Sequence, residues 1–135
     1  MILISRLPSA LYALALLMLA PPAIAFAQSS DDRVSRDLTP AELFELANDS
    51  RMRGQFDVAE KVYRALAEHP QIDLRTEARF RLALMLADEL SRPADAAVLL
   101  RMILDEQPNV SRVRVELARM QVMLGNYEAA GRELR

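Results

Sequence analysis

The pair Leu-Ala stands at Leu46-Ala47, Leu82-Ala83 and Leu117-Ala118, so one large and one small apolar residue recur in the same order every 36 and then 35 residues. A second alanine follows each pair, Ala59, Ala96 and Ala130, at gaps of 13, 14 and 13 residues. A period of this length is too long for one helix and too short for a domain. It marks a supersecondary unit that buries its apolar side only by stacking on copies of itself. The chain is therefore expected to be an array of helical hairpins, an architecture that binds far more often than it catalyses.

The residues around the second alanine sharpen the unit. Gly54-Gln55-Phe56-Asp57-Val58-Ala59 and Gly125-Asn126-Tyr127-Glu128-Ala129-Ala130 share the pattern Gly-x-aromatic-acid-x-Ala, 71 residues apart. Glycine suits the left-handed residue that ends a first helix. The alanines let two antiparallel helices approach closely. Tyr63 and Leu66 after Ala59, and Leu100 and Ile103 after Ala96, fall at i+4 and i+7 on the inward side of a second helix. Pro70 and Pro108 then close the first two units. The middle unit has Ser91-Arg92-Pro93-Ala94-Asp95 in place of the glycine and aromatic, with one extra residue. On these residues the chain resembles the tetratricopeptide repeat. The resemblance implies an all-α hairpin solenoid over residues 39–135, with two full repeats at about 40–73 and 76–108 and a truncated third at 111–135.

Ahead of the array the composition changes. One positive residue, Arg6, precedes the uncharged stretch from Leu7 to Ala20, then Pro21-Pro22 and two overlapping Ala-x-Ala sites ending at Ala25 and Ala27. Residues 1–27 read as a secretory signal peptide, with cleavage before Gln28. The alternative is an uncleaved anchor, since Leu7 to Ala27 is just long enough to span a bilayer. Residues 28–38 read as a flexible polar leader. Export implies an oxidising compartment, yet the chain has no cysteine, which removes disulfides and thiol chemistry. The expected location is the periplasm.

Without the leader, 16 basic residues face 19 acidic ones, and all the basic ones but Lys61 are arginine. A mildly acidic chain with no basic, aromatic-interleaved face is not expected to bind nucleic acid. About 108 residues make one small domain, and no stretch after residue 28 alternates like a strand. Thr39-Pro40-Ala41-Glu42 reads as a capping box that starts a helix running to about Met52. Further helices are expected at about Phe56 to Glu68, Leu74 to Asp88, Pro93 to Glu106, Ser111 to Leu124, and from Tyr127 on. The last begins only about nine residues before Arg135, so Leu117, Val122, Leu124 and Leu134 are expected to be partly exposed. The expectation is a piece of a longer protein or a module completed by a partner.

Three longer runs extend the resemblance. Glu77-Ala78-Arg79-Phe80-Arg81-Leu82-Ala83, the stretch from Ala96 to Asn109, and Val113-Arg114-Val115-Glu116-Leu117-Ala118-Arg119 resemble the N-terminal periplasmic repeats of the surface lipoprotein assembly modifier family. That family places its repeats before an outer-membrane β-barrel and helps lipoproteins reach the cell surface. The resemblance implies a protein or extended-peptide partner, such as an exported lipoprotein, and outer-membrane association only through a barrel that this sequence does not contain. The alternative is a free-standing periplasmic adaptor of a cell-envelope complex.

In tetratricopeptide arrays the first helix of each repeat lines the binding groove. Transferred by register, that role falls on Phe44, Asn48, Arg51 and Met52, then on Phe80, Arg81 and Leu84, then on Arg112, Val115, Glu116 and Arg119. Arginines among apolar residues suit an extended segment held by charged hydrogen bonds and apolar pockets. The same residues equally suit solvated helix faces. Asn48 matches one position of a carboxylate clamp in chaperone-binding relatives, but the lysines of that clamp are missing.

Nothing in the sequence reads as a catalytic centre, and no cofactor, metal or small-molecule substrate is expected. The single histidine, His69, lies in Glu68-His69-Pro70, where an imidazole meets the last carbonyls of a helix. The neighbouring acids Asp88-Glu89 and Asp105-Glu106 point in different directions on a helix and are expected at exposed ends. Met85, Met102, Met120 and Met123 are expected to fill core gaps.

Overall fold

Thr39 opens the first helix as its sequence dictates. Its hydroxyl accepts the Glu42 N–H at 3.3 Å while the Glu42 carboxylate accepts the Thr39 N–H at 2.7 Å, with Pro40 as the first helical residue. The computed structural model describes residues 38–135, so the expected signal peptide, and all of the flexible leader except Leu38, lie outside the described residues. Six helices fill the described region, which contains no strand. They are α1 (Pro40–Met52), α2 (Phe56–Leu66), α3 (Ile72–Asp88), α4 (Pro93–Glu106), α5 (Ser111–Met123) and α6 (Tyr127–Glu133). The fold class is all-α. Two ends differ from expectation: α2 stops at Leu66, and α3 starts at Ile72.

Each helix packs on the one before and the one after it, and α1 also touches α3. With connections this short, neighbours run antiparallel, giving three consecutive helix pairs. The main core gathers Ala47, Ala59, Ala83 and Ala96 with Tyr63, Leu82, Leu100 and Leu117, all of them buried. Ala118 and Ala130 are buried as well. Small residues at these positions admit close helix approach, and the large ones fill the space between. Leu66, Ala67 and Ala78 form a satellite cluster backed by Leu43 and Val62. Leu117 is buried, contrary to its expected partial exposure, because it points into the main core rather than toward the last face. Met123 is about half exposed rather than a core filler, as it lies in the final turn of α5.

The turns inside the pairs explain the irregular middle unit. Gly54 and Gly125 have φ of 73° and 77°, and Ser91 takes the same left-handed region at 54°. All three lie five residues before the buried alanine. The residue after each closes on an equivalent carbonyl: Gln55 N–H to Ser50 at 2.8 Å, Arg92 N–H to Leu86 at 2.7 Å, and Asn126 N–H to Gln121 at 2.7 Å. The glycine turns have the Schellman pattern, and the middle turn keeps its closure while absorbing one extra residue. A left-handed non-glycine residue costs roughly 1–2 kcal/mol, partly offset by the greater unfolded-state freedom of glycine. Ser91→Gly should therefore stabilise the fold by about 0.5–1 kcal/mol in urea denaturation. Gly125→Ala should destabilise it by roughly 1 kcal/mol through the backbone alone, since an added Cβ meets nothing within 4 Å. A loss of stability in Ser91→Gly would disprove the strain.

Candidate functional site

The residues expected to line a groove on α1, α3 and α5 are brought together, but mostly in contact with one another. Arg81 on α3 stacks on Phe44 of α1, with its guanidinium carbon 5.1 Å from the ring centroid, and donates to Glu77 at 2.7 Å. Phe44 in turn lies 6.4 Å from Tyr63, ring to ring. Arg112 on α5 lies 4.0 Å above Phe80 of α3 and donates a longer bond, 3.3 Å, to the other oxygen of Glu77. Glu77 thus ties two arginines that each cover an aromatic ring of the preceding pair.

The remaining arginines are stitches of the same kind. Arg51 on α1 donates through two nitrogens to Glu89, just beyond α3, at 2.8 and 2.6 Å. Arg119 on α5 reaches Asp88 at the end of α3 at 2.7 Å and Glu116 on its own helix at 2.7 Å. Among the expected groove residues, Phe80 is buried under Arg112, and Phe44, Arg51, Arg81, Glu116 and Arg119 are half-buried. Only Asn48, Met52, Arg112 and Val115 stand exposed.

The carboxylates that hold the arginines, Glu77, Asp88 and Glu89, were not read as site residues from sequence. Their separations from Arg112, Arg119 and Arg51 are 35, 31 and 38 residues, close to one repeat. That spacing was the available signal. Glu106 belongs to a second network, accepting from Arg75 at 2.9 Å and from the buried Arg79 at 2.8 Å. Glu89 and Glu106 stand at helix ends as expected, Glu106 exposed and Glu89 half-buried, but both are taken up by arginines of neighbouring helices. His69 also departs from its expected role: its Nδ1 accepts the Gln71 N–H at 3.1 Å, at the start of α3, instead of meeting the last carbonyls of α2.

No protein-family model, curated protein or solved structure matches the chain. Its surfaces therefore have to be read from their own chemistry. No helix among the described residues is long and apolar enough to cross a membrane. Between α2 and α4 lies a cleft of about 410 Å³ floored by Leu82 and Leu86, and its rim arginines Arg64 and Arg92 are both held by Glu60.

These networks make stability depend on pH. Burial raises the Glu77 carboxyl, but hydrogen bonds from Arg81 and Arg112 outweigh it and hold the group below its ordinary value of 4.5. Hydrogen bonds from Arg79 and Arg75 hold Glu106 below that value too. Groups depressed by folding stabilise fully above the unfolded value and lose that contribution as pH falls through the folded one. Thermal midpoints should therefore be flat from neutral pH down to about 5 and then fall below about 4.5. A Glu77→Gln variant should show a shallower acid limb, and an unchanged limb would disprove the assignment.

Proposed function

We propose that the chain is a protein-binding array of the tetratricopeptide type that works in the cell envelope, presenting the α1–α3–α5 side to an extended segment of an exported protein. The observation that carries this reading is the shared register of the three helix pairs. The same buried alanines and the same left-handed turn recur, and ion pairs and cation–π contacts link α1 to α3 and α3 to α5. Repetition of this kind builds a binding surface longer than any single hairpin supplies. The reading is a binding protein, not an enzyme.

Within that surface Arg51, Arg81 and Arg119 hold neighbouring helices, so recognition falls to Asn48 and Arg112. Arg112 has its guanidinium carbon over the Phe80 ring at 4.0 Å, one long bond to Glu77, and an exposed side chain. A stacked guanidinium loses little freedom on binding and offers its remaining N–H groups to a ligand carboxylate or main-chain carbonyl. The sequence resemblance to surface lipoprotein assembly modifiers supplies the client class, exported lipoproteins. Transport itself is not assigned to these repeats.

Site-specific photo-crosslinking in envelope preparations tests the reading, with the crosslinker at position 48 and, as control, at the exposed position 98 on α4. Exported lipoproteins should be captured from position 48 and not from 98, and capture should fall in Arg112→Ala. Recovery of a multi-subunit envelope assembly instead would make the chain a free-standing adaptor. Equal labelling from both positions would remove the groove.

A further inference from the structure

The middle helix defines the binding side most narrowly. From residue 77 to residue 88 all of α3 is buried except Glu77, Arg81, Leu84 and Asp88, which succeed one another by three or four positions and so form one open stripe. Its other sides are packed by α1, α2 and α4. The register of the Leu-Ala pairs carries the same stripe onto α1, 36 residues earlier, and onto α5, 35 residues later.

On these stripes the arginines are already engaged. Arg81 and Arg112 donate to Glu77, and Arg119 donates to Asp88 and Glu116. The Arg51–Glu89 pair beside them adds no net charge. The α1 stripe carries a single charge, Glu45, which is exposed and stands one turn before Asn48. It has no arginine or lysine partner among the described residues. Three arginines therefore meet four carboxylates, and the carboxylate in excess is the open one.

That balance selects the sign of the ligand. An acid brought to the spare donors of Arg112 also meets the Glu77 carboxylate, and like charges brought together at an interface are costly. A neutral main-chain carbonyl meets no such repulsion, and a cation at Glu45 breaks no existing pair. Building on the reading of the α1–α3–α5 side as a binding surface, we propose that the extended segment seated there is basic, with a lysine or arginine against Glu45 and its main chain on Asn48 and Arg112. The arginines of this face brace its helices and do not make it a site for acidic segments.

Fluorescence anisotropy of the full chain tests this with two labelled peptides of about ten residues, long enough when extended to cross three helices. Both are built on serine and valine, one carrying lysines and the other glutamates at the same positions. The lysine peptide should bind about fivefold more tightly at about 0.01 M ionic strength, and the preference should vanish near 1 M, where charges are screened beyond about 3 Å. Glu45→Lys should reverse the order. Glu68→Lys, an equal change of net charge at an exposed position off the three stripes, should leave it unchanged. Asn48→Ala should weaken both peptides. All three positions are exposed, so the fold survives the changes, as circular dichroism checks. Equal or tighter binding of the glutamate peptide, with Asn48→Ala still weakening both, would overturn the proposal and leave the binding surface standing. A lysine preference that Glu45→Lys leaves intact, or that Glu68→Lys reverses, would overturn it too. No binding, or binding indifferent to Asn48→Ala, would overturn the proposal and the binding surface together.

Discussion

Leu100→Ala should destabilise the protein by about 3 kcal/mol, while Leu134→Ala, at the same position of the last unit, should change stability by less than about 0.5 kcal/mol. Both leucines follow the unit's second alanine by four positions, Leu100 within α4 and Leu134 as the residue that caps the end of α6. Burial separates them most: Leu100 is enclosed in the main core and Leu134 is largely open. Truncating an enclosed leucine loses its transfer free energy and leaves a cavity that close packing fills only in part. In a domain of this size the loss lowers the midpoint of thermal unfolding by roughly 12–20 °C. Denaturant titrations of the two variants measure it directly. Equal effects would mean that the last pair is covered in solution, by a second copy or by other parts of the chain.

Ala96→Leu should cost about 2–3 kcal/mol, against little change for Ala94→Leu two residues earlier on α4. Ala96 is completely enclosed in the core that also holds Ala47, Ala59 and Ala83, whereas Ala94 is exposed. Added methylenes at a close helix approach force the helices apart or drive side chains off their rotamers, and neither is compensated by extra apolar burial. The measurement is again the urea midpoint, with the slope as a check that the unfolding unit has not changed. A neutral Ala96→Leu would mean that the helix pairs are not held together through their alanines, and the common register would lose its physical meaning.

Much of the fold was legible because its signals are local. The capping box at Thr39, Pro40 and Glu42, the glycines at 54 and 125, and Pro93 at the start of α4 each act within a turn of where they stand, and each marks a helix end in the structure. The middle turn was harder. Its left-handed residue is Ser91, a type with no strong preference for that conformation, and only the closure of Arg92 onto Leu86 reveals that the inserted residue is absorbed without shifting the register. Apolar periodicity placed Tyr63 and Leu100 in the core. Leu117 was expected to be partly exposed and is buried, because a helix pattern gives the face and not what lies across from it.

The candidate groove shows the limit more sharply. Phe44, Asn48, Arg51, Arg81, Arg112 and Arg119 were all readable as residues of three equivalent helices. Their occupation was not. Whether an arginine faces a ligand or a neighbour depends on a carboxylate about one repeat away, and on the distance between two helices that no local signal encodes.

From the sequence alone came the number of hairpins, their order and most of their boundaries. Those follow from backbone preferences and helical periodicity, which act over a few residues. The tertiary structure decided that Arg51, Arg81 and Arg119 bind their neighbours while Arg112 keeps donors to spare, and that Phe80 is covered. Ion pairing falls off over a few ångströms, and only the packing of one helix pair on the next sets those separations.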